Sequence, residues 1–356
     1  MRSKKVILVS YPDEFRQQEA ISLIGSVSDY DLVKIFTQKY LNHSMYGLGA
    51  GKVQEIKEFL IENRSDQLIV VDEHLSARQI FNLEKETELK VIDRERLILD
   101  IFYSRATSLE AKLQIKLAEI KYELPRVREQ AKLVKASERP GKGGGGEYVI
   151  DVKFRALKRQ MGFIVDKLSD AKRKRRLYLH QRTDTEIPMV ALIGYTSSGK
   201  TTLFNLLTKE TKETSEKLFT TLSTTTRSFF INNEKFLLID TVGFISRLPT
   251  YMIEAFKSTL EESLMANLIL LLIDSSQPVD EIRVKYSSCW QILEELKVDR
   301  GKVVVIFTKI DRTELVHIQE IATDLAIQVP LAISSKTGYG IHKLKTFVAL
   351  QMAGKT

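Results

Sequence analysis

The stretch Ala191-Leu-Ile-Gly-Tyr-Thr-Ser-Ser-Gly-Lys-Thr-Thr-Leu-Phe204 decides the fold of the second half of this chain. It sets Gly194 ahead of Gly199-Lys200-Thr201 with the spacing G-x-x-x-x-G-K-S/T, the phosphate-binding P-loop pattern. Its glycines allow backbone angles that direct successive N–H groups at phosphate oxygens. Lys200 brings a compact positive charge, and the Thr201 hydroxyl is a hard ligand suited to Mg²⁺. The residues expected at this phosphate site are Gly194, Thr196, Ser197, Ser198, Gly199, Lys200, Thr201 and Thr202.

The segments on either side favour a P-loop over an ordinary glycine-containing turn. Residues 188–193 form a continuous apolar run, which is typical of a buried parallel strand. Residues 200–208 read as a helix, whose N-terminus would add its partial positive charge to the site. Strand, loop and helix are the context that this motif requires.

A threonine-rich stretch at residues 218–227 lacks clear periodicity, so we expect a loop there. Such a loop orders around a triphosphate and loosens after hydrolysis. A threonine hydroxyl within it can complete the Mg²⁺ coordination, and Thr221 and Thr225 are both candidates. We expect Phe219, Thr220 and Thr221 to lie beside the nucleotide.

A β-hairpin is predicted next, because Asn232-Asn233 separates two apolar runs at 227–231 and 235–239. Its second strand leads into Asp240-Thr-Val-Gly243. We expect Asp240 in the outer shell of Mg²⁺ and the Gly243 N–H at the third phosphate. The predicted catalytic set is Lys200, Gly243 and Thr221, and the predicted metal set is Thr201, Thr221 and Asp240.

The choice of base is predicted from Thr308-Lys-Ile-Asp311, which follows an apolar strand at 302–307. A carboxylate at Asp311 can accept hydrogen bonds from N1–H and the 2-amino group of guanine, whereas adenine offers no such pair of donors. Lys309 can cover the base with its stem, and Ser334, Ser335 and Lys336 follow the last strand near the base carbonyl. The alternative is an exposed ion pair after a strand. We expect GTP and GDP as ligands, with Mg²⁺ as cofactor.

The first half of the chain is predicted to be a separate α/β domain, with strands at 6–9 and 67–71 and helices at 13–24, 53–62 and 76–84. An apolar stripe from Leu109 to Leu124 and a second one from Leu157 to Leu168 predict an antiparallel helical hairpin. Pro125 is expected to kink or interrupt the first helix. A loop with four consecutive glycines joins the two helices, either as a spacer or as a macromolecular contact. The predicted domains are 1–105, 106–182 and 183–356.

Two other features leave alternatives open. Gly47-Leu-Gly-Ala-Gly-Lys52 precedes a helix and is either a second phosphate cradle or a loop that needs glycine for geometry. A basic run is either a solvated helix face or a phosphate-backbone contact. Its members are Lys167, Lys172, Arg173, Lys174, Arg175, Arg176 and Arg182.

Composition sets the cellular context. Cys289 is the one cysteine, so an intramolecular disulfide is excluded and a reducing compartment fits. The net charge of +8 permits nucleic-acid contact without demanding it. The longest apolar run, residues 268–273, is strand-sized, so we expect no membrane span. A cytoplasmic monomer is the expectation.

These motifs together resemble the HflX family of ribosome-associated GTPases. The likeness includes Gly194–Thr208, Asp240-Thr-Val-Gly-Phe-Ile245 and, outside any GTPase domain, residues 72–84, 91–102 and 121–126. It implies a P-loop GTPase domain of the Ras-like kind behind the α/β domain and hairpin. It also implies that the large ribosomal subunit is the partner, since several members split or rescue stalled ribosomes.

The chain departs from the family pattern at several places. Thr308 replaces the usual asparagine, which puts one contact to the base or the P-loop in doubt. The segment after the glycine-rich loop keeps only part of the family's acidic and double-arginine sequence, and the extra C-terminal domain of some relatives is expected to be absent. Phe244 stands where many GTPases place the glutamine that orients the attacking water. A phenyl ring cannot do this, so slow intrinsic hydrolysis that a partner accelerates is expected.

Three functions are therefore weighed. The leading hypothesis is a GTP-switched factor that binds ribosomes. The second is a nucleotide-dependent RNA-binding or scaffold protein in which hydrolysis is incidental. The third is an ATPase that acts through Gly47 to Lys52.

Overall fold

The computed structural model describes residues 3–63, 67–137, 145–183, 187–210, 218–219, 224–327 and 331–353. By its internal contacts the chain divides into two compact units. The first comprises residues 1–104 and 112–171, and the second comprises residues 105–111 and 172–356. None of the helices in the described ranges is long and apolar enough to cross a membrane.

The first unit is built on a four-stranded parallel sheet. Its strands are β1 (Lys4–Ser10), β2 (Tyr30–Thr37), β3 (Gln67–Val71) and β4 (Lys90–Asp93). Its helices after successive strands are α1 (Glu14–Gly25), α2 (Ala50–Glu62), α3 (Ala77–Thr87) and α4 (Arg94–Arg105). The order across the sheet is β2-β1-β3-β4, and every neighbouring pair is parallel. All five residues of β3 are buried, as expected for a central strand of a parallel sheet.

The sequence predicted β1, β3 and the helices α1 to α3, but β2 and β4 were not recognised. β2 lies at the edge of the sheet, and all of its residues except the buried Phe36 are exposed or half-buried. Edge strands carry charged side chains such as Asp31 and Lys34, which break the apolar run that marks a buried strand. β4 is only four residues long.

Two long helices follow, α5 (Leu109–Ser137) and α6 (Gly145–Thr183). They meet where the Arg128 guanidinium lies 4.8 Å from the centre of the Phe154 ring. The predicted helices are therefore confirmed, whereas the glycine-rich loop at 138–144 lies outside the described residues. The predicted interruption at Pro125 is wrong, because α5 continues through it.

The turn that contains Pro125 is fixed to the end of the sheet by two side chains. The Tyr122 hydroxyl donates to Asp93 Oδ1 at 2.9 Å, and Arg126 donates to Asp93 Oδ2 at 2.6 Å. Asp93 is fully buried and ends β4. These contacts on either side of the proline hold the helix where its own hydrogen-bond ladder lacks an N–H.

A second buried cluster lies at the same edge of the sheet, around Arg94. Its guanidinium donates to Asp72 Oδ1 at 2.6 Å and to Glu19 Oε2 at 2.5 Å. Ser10 Oγ donates to the other oxygen of Asp72 at 3.1 Å. All of these side chains are buried, so the two carboxylates depend on Arg94 for compensation of their charge.

The second unit is built on a six-stranded sheet with a mostly parallel arrangement. Its strands are β5 (Met189–Gly194), β6 (Thr225–Ile231), β7 (Glu234–Asp240), β8 (Leu268–Asp274), β9 (Val303–Thr308) and β10 (Leu331–Ala332). Its helices are α7 (Lys200–Thr208), α8 (Thr250–Leu264), α9 (Val279–Glu295), α10 (Leu315–Asp324) and α11 (Ile341–Ala353). The order is β10-β9-β8-β5-β7-β6, and only the β6–β7 pair is antiparallel.

This arrangement confirms the predicted fold class and the predicted hairpin. The strand before the P-loop, the helix after it and the strands that lead to Asp240 and Asp311 all form where the sequence indicated. Buried Leu192, Phe204, Leu238 and Leu270 form the middle of the core on one face of this sheet. The core therefore fixes β5 at the centre, with the P-loop at its carboxyl end.

The dependence of the first unit on Arg94 is testable. Arg94→Met should lower the free energy of unfolding by about 3–5 kcal/mol, because two buried carboxylates lose their compensating charge. The measurement is urea unfolding followed by circular dichroism. Arg78→Met is the control, because Arg78 lies exposed on α3 and its replacement should change little. Equal unfolding midpoints for the two variants would contradict the assigned role of Arg94.

Candidate functional site

The P-loop lies at the point where the connections of the second sheet change direction. β5 has β8 on one side and β7 on the other, and the loop 194–199 leaves its carboxyl end to enter α7. Ligands of open α/β sheets bind in the crevice at such a position. The core thus places the glycine-rich loop and the N-terminus of α7 at the expected ligand site.

Two glycines are required by the geometry of this loop. A Cβ on Gly194 would lie 2.4 Å from the carbonyl oxygen of Leu272 on β8, which is too close for any side chain. Gly199 has φ +90°, a left-handed conformation that favours glycine. The spacing read from the sequence therefore corresponds to real steric constraints at both positions.

Lys200 is buried, and its ammonium is enclosed by backbone oxygens. Nζ donates to Tyr195 O at 2.7 Å and to Gly194 O at 3.1 Å. Burial lowers the pKa of Lys200 to about 8, while the negative charge of Asp240 acts in the opposite direction. The group is therefore mostly protonated at neutral pH, and phosphate oxygens can compete with the two carbonyls for it.

Two of the three predicted metal ligands are brought together. Thr201 Oγ1 lies 3.2 Å from Asp240 Oδ2, and Asp240 is fully buried at the end of β7. A hydroxyl and a carboxylate are the oxygen donors that Mg²⁺ prefers, so this pair fits the ion. Thr220 and Thr221 lie outside the described residues. Thr225, the alternative to Thr221, begins β6 and is paired with Asp240 across the hairpin.

The segment after Asp240 lies directly on the P-loop. A Cβ on Gly243 would lie 2.8 Å from Thr196 Cγ2 and 3.2 Å from Lys200 Nζ. Phe244 N donates to Gly194 O at 3.0 Å, and Thr196 N donates to Phe244 O at 2.7 Å. Gly243 is thus held beside the ammonium, where only a residue without a side chain fits.

Phe244 contacts the P-loop through its backbone N–H and C=O, whereas its ring is buried with 3% exposure. The ring therefore packs in the interior of the unit. This agrees with the expectation that no side chain at this position orients an attacking water.

Tyr195 is a residue of the site that the sequence did not single out. Its hydroxyl accepts a hydrogen bond from Ser246 N at 2.7 Å, and the side chain is buried. Thr241 Oγ1 donates to Leu192 O at 2.6 Å at the other end of the same segment. Residues 241–246 are therefore attached to β5 and the P-loop on both sides of Gly243. The one signal in the sequence was a large aromatic residue inside a P-loop of otherwise small side chains.

Thr308 contacts the P-loop although it replaces asparagine. Its hydroxyl lies 2.8 Å from Ser198 O and 3.1 Å from Ile273 O, and the residue is buried at the end of β9. A hydroxyl has one proton, so it serves these two carbonyls alternately. The loop that carries Asp311 is thereby joined to the loop that carries Lys200.

Asp311 is exposed and oriented by Ser334. The Ser334 hydroxyl donates to Asp311 Oδ1 at 2.5 Å, and Ser334 Oγ also accepts from Thr337 N at 3.1 Å. This hydrogen bond from Ser334 is the main cause that lowers the pKa of Asp311. The carboxylate is therefore ionised at neutral pH and presents acceptor oxygens at the carboxyl edge of the sheet.

The remaining predicted site residues differ in their exposure and in their hydrogen-bond partners. Lys309 has φ +58°, and its Nζ donates to Asp274 Oδ2 at 2.6 Å. Ser335 and Lys336 follow Ser334 in the same turn, where Ser335 is half-buried and Lys336 is exposed.

The other predicted residues belong to the phosphate side. Ser197 and Thr202 are exposed. Ser198 is buried, and its hydroxyl has no hydrogen-bond partner among the described residues. Phe219 is 1% exposed, so its ring lies in the interior.

The glycine-rich loop of the first unit is held by hydrogen bonds within the protein. Gly47 N donates to His43 O at 2.8 Å, and Gly49 N donates to Gln38 Oε1 at 3.0 Å. Lys52 Nζ pairs with Glu55 at 2.6 Å. Because these donors already have protein partners, the geometry supports the interpretation in which these glycines shape a loop.

Three family models match successive parts of the chain. The first is described as GTP-binding GTPase N-terminal and matches residues 15–103. The second, GTP-binding GTPase Middle Region, matches residues 105–182, and the third, 50S ribosome-binding GTPase, matches residues 189–309. The third match includes the P-loop, Asp240 and Gly243.

Individual relatives cover most of the chain. GTPase HflX of Thermococcus kodakarensis is 39% identical over 320 residues, which cover 90% of this chain and 72% of that protein. GTPase HflX of Methanocaldococcus jannaschii is 38% identical, with 90% and 79% covered. Among solved structures, the complex of SsGBP with GDP is 26% identical and covers 99% of both chains, with a TM-score of 0.57. A GTP-binding protein from Sulfolobus solfataricus in complex with GDP is 26% identical, covers 99% of this chain and 100% of that one, and has a TM-score of 0.51.

The predicted role of Asp311 in selecting guanine over adenine can be tested by calorimetry. Asp311→Asn replaces one acceptor oxygen by a donor, so GDP binding should weaken by about 10- to 100-fold while the preference over ADP shrinks. Isothermal titration calorimetry with GDP and ADP in the presence of Mg²⁺ reports both quantities. Asp280→Asn, an exposed carboxylate on α9, is the control. Unchanged purine preference in the Asp311 variant would remove this residue from base recognition.

The hydrogen bond between the Tyr195 hydroxyl and Ser246 N is expected to position Gly243, and this can be tested separately. Tyr195→Phe removes the hydrogen bond to Ser246 N but keeps the ring, so GDP affinity should stay within about twofold. GTP turnover should fall by about three- to tenfold, because Gly243 is then less firmly positioned. Tyr286→Phe, on α9, is the matched control and should turn over GTP normally. Equal turnover in both variants would show that the bond to Ser246 does not position Gly243.

Proposed function

The chain belongs to the HflX family of GTPases, so it binds guanine nucleotides and hydrolyses GTP, and we propose that this cycle controls its docking on the large ribosomal subunit. The match of residues 189–309 to the family model described as 50S ribosome-binding GTPase supports the choice of partner. The form that binds the large subunit would be the one that carries GTP. We further propose that docking serves to split ribosomes or to rescue stalled ones.

The position of Gly243 is the observation that carries this proposal. Gly243 lies against Thr196 and beside the Lys200 ammonium, and Phe244 pairs with the backbone on both sides of Tyr195. A third phosphate bound by Lys200 would meet this segment directly. Nucleotide state is thereby coupled to residues 241–246, whose two ends are attached to Leu192 of β5 and to Tyr195 of the P-loop.

The roles of the other residues follow from their chemistry. Lys200 and the backbone N–H groups at the start of α7, residues 199–202, would hold the phosphates, and Asp311 would accept hydrogen bonds from guanine. Thr201 and Asp240 would hold Mg²⁺, directly or through water, together with a threonine of the 218–227 stretch. When bound, Mg²⁺ neutralises the charge that develops on the phosphates during transfer to water.

Hydrolysis in the free protein should be slow under this proposal. Phe244 is buried and cannot orient a water molecule, and the described part of the site shows Gly243 held by the P-loop. A ribosomal partner that moves residues 241–246 would alter this geometry. Stimulation by the large subunit is therefore part of the proposed cycle.

A second candidate, nucleotide-dependent binding of RNA without preference for assembled subunits, rests on helix α6. Its exposed surface combines Phe163, 60% exposed, with Lys167, whose Nζ lies 5.5 Å from the centre of the Phe163 ring. Arg159 is also exposed on this helix. Aromatic and basic groups in alternation favour contact with RNA in general.

Co-sedimentation with purified large subunits separates these two functions. The protein should bind at least about tenfold more tightly with a non-hydrolysable GTP analogue than with GDP, and added subunits should accelerate GTP turnover. Lys200→Ala should lose the nucleotide dependence, whereas Lys343→Ala, an exposed lysine on α11, should retain it. Affinity for free RNA equal to that for assembled subunits would support the second candidate, whereas equal binding with GDP and the analogue would contradict both.

A further inference from the structure

A cavity of about 390 Å³ opens in the first unit, away from the P-loop. Six of the residues that line it are Tyr11, Tyr40, Leu41, Asn42, Glu73 and His74. Tyr11 directly follows β1, Glu73 and His74 follow β3 closely, and Tyr40 comes after β2. The cavity therefore lies at the carboxyl edge of the first sheet.

The topology of the sheet makes this edge a place where ligands bind. From β1 the chain passes through α1 to β2 on one side, and from β2 it passes through α2 to β3 on the opposite side of β1. The connections thus diverge between β1 and β3. A crevice outside the carboxyl ends of the strands at such a point is the usual ligand position in an open parallel sheet.

The lining does not suit a phosphate group. The carboxylate of Glu73 is part of the wall, where its oxygens accept hydrogen bonds from the Tyr11 hydroxyl and from His74 N. The amides of Gly47 and Gly49 nearby in the chain already donate to His43 and Gln38. The chemistry therefore favours a flat ligand with polar edges over an anion.

Two aromatic rings, each with a cation over one face, are the main features that remain. Tyr40 is 58% exposed, and Lys39 Nζ lies 5.4 Å from the centre of its ring. The Arg16 guanidinium lies 4.6 Å from the centre of the Tyr11 ring. Protein sites for unpaired nucleotides combine these elements, because the rings stack on bases while the cations attract the phosphate backbone.

We propose that this cavity holds one unpaired base of a single-stranded RNA. The base stacks on the face of Tyr40 opposite Lys39, with Tyr11 forming the wall on the β1 side, and its backbone phosphates lie near Lys39 and Arg16. The Asn42 amide and Nε2 of His74 supply hydrogen-bonding groups for the edges of the base, while Nδ1 of His74 lies 3.0 Å from Glu95 Oε1. This inference concerns free RNA and the first unit, so it goes beyond the proposed nucleotide-controlled docking.

The test measures binding of a labelled single-stranded hexaribonucleotide by fluorescence anisotropy, with the full chain saturated with GDP and Mg²⁺ at one fixed salt concentration. A second oligonucleotide carries abasic positions, so that its charge is kept and its stacking is lost. Tyr40→Ala should weaken binding of the intact RNA by about 5- to 150-fold, the range expected for one stacked base. It should leave the abasic RNA unaffected, and Tyr40→Trp should restore binding.

Tyr103→Ala is the matched control, because Tyr103 is 56% exposed on α4 of the same unit and does not line the cavity. It should bind the intact RNA like the wild type. Equal affinity for intact and abasic RNA, equal effects of the two alanine variants, or no binding of the intact RNA would each overturn the proposal. The assay contains no ribosomal subunits, so its failure leaves the docking proposal standing, and failure of nucleotide-controlled docking leaves this one standing.

Discussion

The buried ammonium of Lys200 determines how the backbone of the second unit must be arranged around the P-loop. A buried charge is unfavourable unless polar groups surround it, and here the carbonyls of Gly194 and Tyr195 do so. Those carbonyls face inward only because the loop turns tightly, and the turn is possible only because Gly194 packs against the Leu272 backbone without a side chain. β5 and β8 must therefore be adjacent and parallel at this point, which the core on one face of the sheet ensures.

The P-loop also connects the two other parts of the site. Tyr195 and the backbone around it hold residues 241–246, whereas Ser198 O accepts a hydrogen bond from Thr308 at the end of β9. The phosphate side and the base side are thus joined to the same short loop. Because hydrogen bonds act over short distances, a displacement of the loop by a few tenths of an ångström is felt at both sides. The phosphate side and the base side of the site therefore cannot move independently of the P-loop.

The first unit depends on buried charges of a different kind. Arg94 compensates the negative charges of Asp72 and Glu19. Asp93 accepts hydrogen bonds from Tyr122 and Arg126 of α5. Such networks contribute less to stability than apolar residues of equal size, but they tolerate only one arrangement of their partners. The contacts of Asp93 with Tyr122 and Arg126 fix α5 to the sheet beside Pro125.

The sequence by itself determined the local parts of this protein. The P-loop, its strand and helix, the hairpin before Asp240 and the strand before Asp311 were predictable, because apolar periodicity and short motifs are recorded within a few neighbouring residues. The tertiary structure decided what depends on distant partners. The bond from Tyr195 to Ser246 spans 51 residues and that from Thr308 to Ser198 spans 110, and no local pattern indicates either. The edge strand β2, the continuation of α5 through Pro125 and the inward ring of Phe244 belong to the same class, since pairing and burial in the folded chain determine them.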